Sequence, residues 1–344
     1  MILFSNNDSD VPTSECLVPA AIREAMQIIR HIGEESPKLS KTVVTLGNFD
    51  GIHLGHQALI GGAVTDAKQL GVPSVVLTFE PHPLKVLAPE RAPKLILAPK
   101  DKMQLLRNLG VDIVAVQPFD LSFAKLSADE FVRGLLAGQL KAKKLWVGKD
   151  LRFGQGRKGS VDDLVRWGRG LGFEVSVVEP ILVNGHRVSS SHIRELVGHG
   201  RVDEVKPMLG RYHFISGRVT QGRRRGKDLG FPTANIAART EVLPLDGIYA
   251  TLFHLGDRAL LSVSSIGLNP TFGEGPRTVE SYIMNFNEDI YGAPVRLSFV
   301  ERIREEKKFA SVADLVAQIG ADVQTAEAIF RDLKIAPGIA SMAS

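Results

Sequence analysis

Apolar residues in the first part of the chain follow two rhythms that alternate. Short runs rich in β-branched residues recur at Val43–Leu46, Val75–Phe79, Ile113–Val116, Leu145–Val147 and Val175–Val178. Between them lie stretches of helical period. Leu59, Ala63, Ala67 and Leu70 share one face, and the pairs Ser127/Glu130 and Ser160/Asp163 have the spacing of capping boxes. Strands alternating with helices predict βαβ units and a mostly parallel sheet.

After about Gly210 the helical period disappears. Strand-like runs follow at Phe214–Thr220, Ile248–His254, Ala259–Ile266, Val279–Phe286 and Val295–Val300, with Gly, Pro and Asp between them. Short strands punctuated by turn residues predict a closed antiparallel barrel or a sandwich. A last helix is expected after Ser311, with Asp314 as capping partner and Leu315, Ile319, Val323 and Ala326 inside. The domain boundary therefore falls near residues 198–212. Residues 1–40 read as an extension with one amphipathic helix, Ala20 to Ile32, on the spacing of Ile22, Met26, Ile29 and Ile32.

Composition narrows the class without naming a chemistry. A chain of 344 residues has room for about two domains. One cysteine, Cys16, excludes an internal disulfide framework and fits a reducing compartment. The first residues lack the basic and apolar pattern of a secretory signal, and no run reaches the roughly 18 apolar residues a membrane span needs. A cytoplasmic protein is the expectation. The net charge of +4 permits acidic ligands and does not argue for nucleic acid.

Chemistry concentrates first at Gly47–His56, Gly-Asn-Phe-Asp-Gly-Ile-His-Leu-Gly-His, between the first strand and a helix start. In such sheets ligands bind beyond the carboxyl ends of strands. Glycines there let backbone approach a phosphate, and a helix N-terminus supplies free N–H donors. His53 and His56, three apart on the opening turn, can donate to charge developing on phosphate. A histidine pair also serves as metal ligand or plain surface, but no third ligand of suitable spacing follows. Downstream, Ser189, Ser190 and Ser191 read as helix caps, and with Arg187 and Arg194 as an anion site.

These segments resemble the FMN adenylyltransferase domain of the bacterial bifunctional riboflavin kinase/FMN adenylyltransferase (FAD synthetase) family. The match runs through Asn48-Phe49-Asp50-Gly51-x-His53-x-Gly55-His56, Thr78–Pro83, Val147–Gly154 and Arg187–Arg194, in order. The resemblance implies a Rossmann-like nucleotidyltransferase domain. It also implies nucleotide contacts from Gly47, Asn48, Asp50, Gly55, Asp150, Arg187, Ser190, Ser191 and Arg194, with His53 and His56 catalytic. Lys149, Leu151 and His192 depart from the family pattern. They leave a second reading open, a kinase whose N-terminal domain binds nucleotide or flavin without catalysis.

The second concentration is Gln221–Asn235, where three glycines and four basic residues form a loop able to wrap phosphates. Nucleic acid is the weaker partner, because no aromatics are interleaved for base stacking. The stretch resembles the riboflavin kinase signature, whose core Gly230-Phe231-Pro232-Thr233-Ala234-Asn235 stands intact. Leu243–Ala250, Ile266–Phe272, Val279-Glu280, Tyr291-Gly292 and Ile303–Phe309 continue the match. The resemblance implies ATP or flavin contacts from Gly222, Gly226, Lys227, Gly230, Pro232, Thr233, Asn235 and Arg304. It also implies Mg²⁺ held near Thr233 and Asn235, and Glu280 as general base. With limits at 41–200 and 210–335, it predicts an adenylyltransferase domain and a C-terminal antiparallel β-barrel kinase domain with a terminal helix. The substrates and products would be ATP, riboflavin, FMN and FAD, with no membrane partner and room for self-association.

Overall fold

A computed structural model describes residues 26–30, 32–33, 39–222, 230–267 and 277–339. The first domain is built on six parallel strands: β1 (Gln27–Arg30), β2 (Thr42–Leu46), β3 (Ser74–Glu80), β4 (Ile113–Pro118), β5 (Ala142–Gly148) and β6 (Glu174–Val178). Their spatial order is β1-β4-β3-β2-β5-β6, with Val44 opposite Val75 on one side and Leu145 on the other. The strand order reverses at β2, so the switch point lies where β2 ends.

Helices cover both faces. α1 (Leu54–Leu70), a short α2 (Pro83–Leu87) and α3 (Pro99–Asn108) precede α4, which runs from Ala128–Glu130 into a π-helical stretch, Phe131–Gln139. α5 spans Val161–Leu171, α6 Ser190–Gly198 and α7 Lys206–Leu209. α1 and α3 pack Ile60, Val64 and Leu106 on Val76 and Val114, while α4 and α5 pack Leu136 and Leu164 on Val75, Leu77 and Leu145. The expected capping boxes at Ser127/Glu130 and Ser160/Asp163 are both formed.

The expected helix Ala20–Ile32 is corrected over its described part. Gln27–Arg30 is an edge strand parallel to β4. The β-branched pair Ile28-Ile29 takes up the open backbone edge of β4, and Ile29 packs on the core. Tertiary pairing overrode the local helical period. The rest of that expectation lies outside the described residues.

A two-strand hairpin, β7 (Leu182–Val183) and β8 (His186–Arg187), precedes α6. The second domain then comprises β9 (His213–Thr220), β10 (Thr233–Ala238), β11 (Gly247–Leu255), β12 (Arg258–Gly267), β13 (Thr278–Ile283) and β14 (Pro294–Arg304). The order β11-β14-β9-β10-β13-β12 is closed by pairing of β12 with β11, so the structure is a barrel rather than a sandwich. Ile215, Ile236, Tyr249, Phe253, Val279, Leu297 and Phe299 fill it. A chain of buried hydroxyls, Thr251, Ser262, Ser264 and Ser281, satisfies its own hydrogen bonds inside. The terminal helix α8 (Val312–Asp332), capped by Ser311 as expected, lays Ala326 and Phe330 over the outer face against Ala250, Leu252 and Val300. A last strand, β15 (Gly338–Ile339), pairs with β12. The domains are not beads on a thread: Phe214, at the start of the barrel, is buried in the core of the first domain with Phe49.

Candidate active sites

β2 is buried along its whole length, and the chain leaves the sheet only at Gly47. The loop that follows is contorted: Phe49 (φ +50°), Gly51 (φ +85°) and Ile52 (φ +40°) are left-handed. For a bulky or β-branched residue this costs on the order of 1–3 kcal/mol and persists only where the surroundings over-determine it. Here Phe49 and Ile52 are each 1% exposed. The Ile52 carbonyl accepts from Gln57 Nε2 at 2.9 Å and Arg211 Nη1 at 3.2 Å, and the Gly51 carbonyl from Arg211 Nη2 at 2.7 Å.

The contortion delivers His53 as the N-cap of α1. Its Nδ1 accepts from the His56 backbone N–H at 3.3 Å, which leaves the proton on Nε2. The two imidazoles stack at 3.6 Å between centroids, and Phe49 meets His56 edge-on at 5.2 Å. Gly55 leaves little room beside the stack: a Cβ there would lie 3.2 Å from His53 Cε1. Burial lowers the pKa of His53 to about 4, with Arg211, Arg187 and Arg194 pressing the same way. Burial first, then His53 and Lys102, hold His56 well below the ordinary range. Both rings are therefore neutral at pH 7.

Asp50, expected as a nucleotide contact, has protein partners on every side that the structure shows. It is 6% exposed, and its carboxylate accepts from the Ile96 N–H at 3.0 Å, the Leu97 N–H at 3.2 Å and Arg194 Nη2 at 2.7 Å. The pair fixes the Arg194 guanidinium, whose Nε also donates to the Lys94 carbonyl at 2.8 Å. Ser190 Oγ donates to the Asp50 carbonyl at 2.8 Å, so the two motifs, 140 residues apart, are one assembly. The cap of α6 is Ser189, while Ser191 is exposed. Arg187 and Asp150, both exposed, form an ion pair at the mouth. The Asn48 amide sits 3.0 Å from His82 Nε2.

The second site is displayed on the outer face of the barrel. Thr233–Asn235, the end of the stretch read from sequence as a loop, opens strand β10. It pairs with β13 so that Asn235 faces Glu280 directly. Directly paired residues point to the same side, and Thr233 Oγ1 donates to Glu280 Oε2 at 3.3 Å. Across β13 the next partner of Glu280 is Ser265, which donates to Glu306 at 3.4 Å. Gly222 lies close under the Asn235 side chain, whose amide would have to move to admit a Cβ there. Gly230 takes φ +82° ahead of the exposed Pro232. Gly226 and Lys227 lie outside the described residues. Arg304, expected as an ATP or flavin contact, turns to the terminal helix. It is spent on a bidentate pair with Asp322 of α8 at 2.8 and 2.7 Å, and its third nitrogen donates to the Glu305 carbonyl.

Comparison with known proteins follows the same division. The family model for FAD synthetase matches residues 35–192, and that for riboflavin kinase matches residues 209–330. The bifunctional riboflavin kinase/FMN adenylyltransferase of Escherichia coli K12 is 36% identical over 307 residues, covering 89% of this chain and 98% of that one. The chain belongs to the bifunctional riboflavin kinase/FMN adenylyltransferase family. The Listeria monocytogenes member is 37% identical, covering 85% of this chain and 93% of its own. A crystal structure described as a macrolide-efflux protein from Streptococcus pneumoniae superposes with a TM-score of 0.80 at 32% identity, covering 88% of this chain and 99% of that one. Among the described residues no helix is long and apolar enough to cross a membrane.

Within this family the three departures at the first site are locally accommodated. The Lys149 ammonium pairs with Glu179 at 3.0 Å, Leu151 packs on the main core, and His192 lies 3.5 Å from Glu195. Two residues escaped the sequence reading. Lys102, its pKa lowered by burial, donates to the Asn48 carbonyl at 3.3 Å and Thr78 Oγ1 at 3.2 Å. Arg211 reaches the loop from 160 positions away. Neither stands in a motif, so only their distance in space reveals them.

Proposed function

We propose that residues 41–200 transfer the adenylyl group of ATP to FMN, and that residues 210–335 transfer the γ-phosphoryl group of ATP to riboflavin. The observation that carries the first half is the joining of Asp50, Ser190 and Arg194 around the start of α1, next to two neutral histidines. A phosphate oxygen of FMN attacks the α-phosphorus of ATP, the bond to the β-phosphate oxygen breaks, and pyrophosphate leaves. His53 Nε2 and His56 donate hydrogen bonds to the phosphate oxygens, while Arg194 and Arg187 offset their charge. Gly47 and Gly55 leave room for the phosphates. Asn48 and Asp150 line the mouth, and Ser191 adds a hydroxyl at the start of α6. No covalent enzyme intermediate is needed, so alignment and electrostatics carry the rate.

The second half rests on the row Thr233, Asn235 and Glu280. Glu280 takes the proton of the riboflavin 5′-hydroxyl, whose oxygen attacks the γ-phosphorus, and ADP leaves. Two neutral side-chain oxygens beside a carboxylate suit a hard cation that keeps several waters, which is the chemistry of Mg²⁺. Thr233 and Asn235 would hold it with the ATP phosphates, where it neutralises charge. ATP as the shared co-substrate and the lone Cys16 both fit a cytoplasmic enzyme.

The test is one incubation with riboflavin, ATP and Mg²⁺, resolved by chromatography of flavins. FMN should appear first and FAD afterwards. His56→Ala should stop the sequence at FMN, with FAD formation down about 100-fold for the loss of a preorganised donor. A folded His56→Ala protein that makes FAD at the parent rate would refute the role of the α1 start.

A further inference from the structure

The residue that joins the two domains also shapes the nucleotide loop. Arg211 lies between α7 and β9, two positions before the barrel begins. It is 4% exposed. One guanidinium nitrogen donates to the Ile52 carbonyl at 3.2 Å and the Leu209 carbonyl at 3.3 Å, and the other to the Gly51 carbonyl at 2.7 Å. Gln57, on the first turns of α1, doubles the same knot by donating to Ile52 at 2.9 Å and Leu209 at 2.7 Å. The knot thus closes over the two left-handed residues directly before His53. Nothing in the local sequence makes Ile52 prefer φ +40°; the donors that hold it come from α1 and from the domain junction.

We propose that Arg211 is a positioning residue for adenylyl transfer. It fixes the Gly51-Ile52 peptide so that His53 and His56 present their N–H groups to the phosphates, and thereby makes the junction to the kinase domain a structural part of the other site. Its guanidinium touches no reacting atom; it acts through two carbonyls. A planar fork is suited to this because it addresses both carbonyls at a fixed angle, whereas an ammonium is a point donor. The consequence is directional. Loss of the fork should lower the turnover of FAD formation more than it weakens ATP binding, and should leave the barrel's chemistry alone.

The inference rests on the reading of the α1 start as the FAD-forming site. It is tested in the full chain with Arg211→Gln and Arg211→Lys, measuring kcat and KM for FAD formation from FMN and ATP. FMN formation from riboflavin and thermal melting are followed in the same preparations. The expected result for Arg211→Gln is a kcat for FAD formation at least thirtyfold lower, an ATP KM within about threefold, and FMN formation within twofold. Arg211→Lys, which keeps a donor near the carbonyls, should recover at least threefold of the lost kcat. FAD formation within threefold of the parent in a folded Arg211→Gln protein overturns the proposal. So does a parallel fall of both activities, which would mark a general structural role. No recovery in a folded Arg211→Lys protein overturns the claim that donated hydrogen bonds carry the effect. Failure of the parent itself to make FAD would strike the site assignment instead.

Discussion

The two sites differ in how they are held. The proposed adenylyl-transfer site is assembled from buried parts: a strained loop, a histidine stack, an inward-facing Asp50 and an arginine brought from the domain junction. The proposed kinase site is a row of side chains on the outside of a barrel, set by strand register, in which Thr233 donates to Glu280. In the first, chemistry and stability share residues. In the second they are separable, because the barrel is filled by other side chains, Val279 and Ile283 among them, that alternate with the functional ones along β13. Substitutions should therefore have mixed effects in one site and clean effects in the other.

The sharpest test is Glu280→Gln. Removal of a general base typically costs 10²- to 10⁴-fold, so FMN formation should fall by about three orders of magnitude. FAD formation from added FMN should be unchanged, and so should the melting temperature, since among the described residues the side chain's partner is the exposed Thr233. A shifted melting curve would break the contrast between the sites, and an unchanged FMN rate would remove Glu280 from the chemistry.

Arg304→Met tests the contrast from the opposite side. Its loss leaves Asp322, 3% exposed, with Gln318 at 3.0 Å as its remaining hydrogen-bond partner. Breaking a buried pair in this way costs about 3–5 kcal/mol. The expected outcome is a clear drop in denaturant midpoint with FMN formation per folded molecule nearly intact. Lost FMN formation at parental stability would return Arg304 to the ligand-binding role that its sequence context implied.

What was legible in the sequence follows the range of the interactions involved. The alternation of strands and helices, the capping boxes and the Gly47–His56 turn are local patterns, and they read correctly from residue type and spacing. Asp50 stands in a motif, yet its carboxylate is committed to Ile96, Leu97 and Arg194, a choice that depends on chain segments far away. Arg211 had no local signature at all. β10 was hidden for another reason: Gly230 and Pro232 punctuate its start, and only pairing with β9 and β13 makes Thr233–Ala238 extended. Arg304 shows the same limit: its motif neighbours suggest ligand binding, and nothing local announces its partner Asp322 on a later helix.

Acid provides the gentlest probe, and it asks whether the contrast belongs to sites or to whole domains. Buried histidines are not confined to the nucleotide loop. Burial, helped by Arg211, lowers His213 to about 3, and burial with Arg296 lowers His254 to about 3, both in the barrel. With folded values below the ordinary 6.5, the unfolded chain binds protons first. The stability these groups permit is fully present at neutral pH and is lost as the pH falls from 6.5 toward 3–4. Each such histidine adds at most about 1.4 kcal/mol per pH unit across that window. His213→Phe keeps a ring against Phe299 and removes one titration. Its denaturant stability should fall less steeply between pH 6.5 and 4 than the parent's, by up to that amount per unit. An unchanged slope would remove His213 from the acid response and leave it to His254 in the barrel and to the His53–His56 loop.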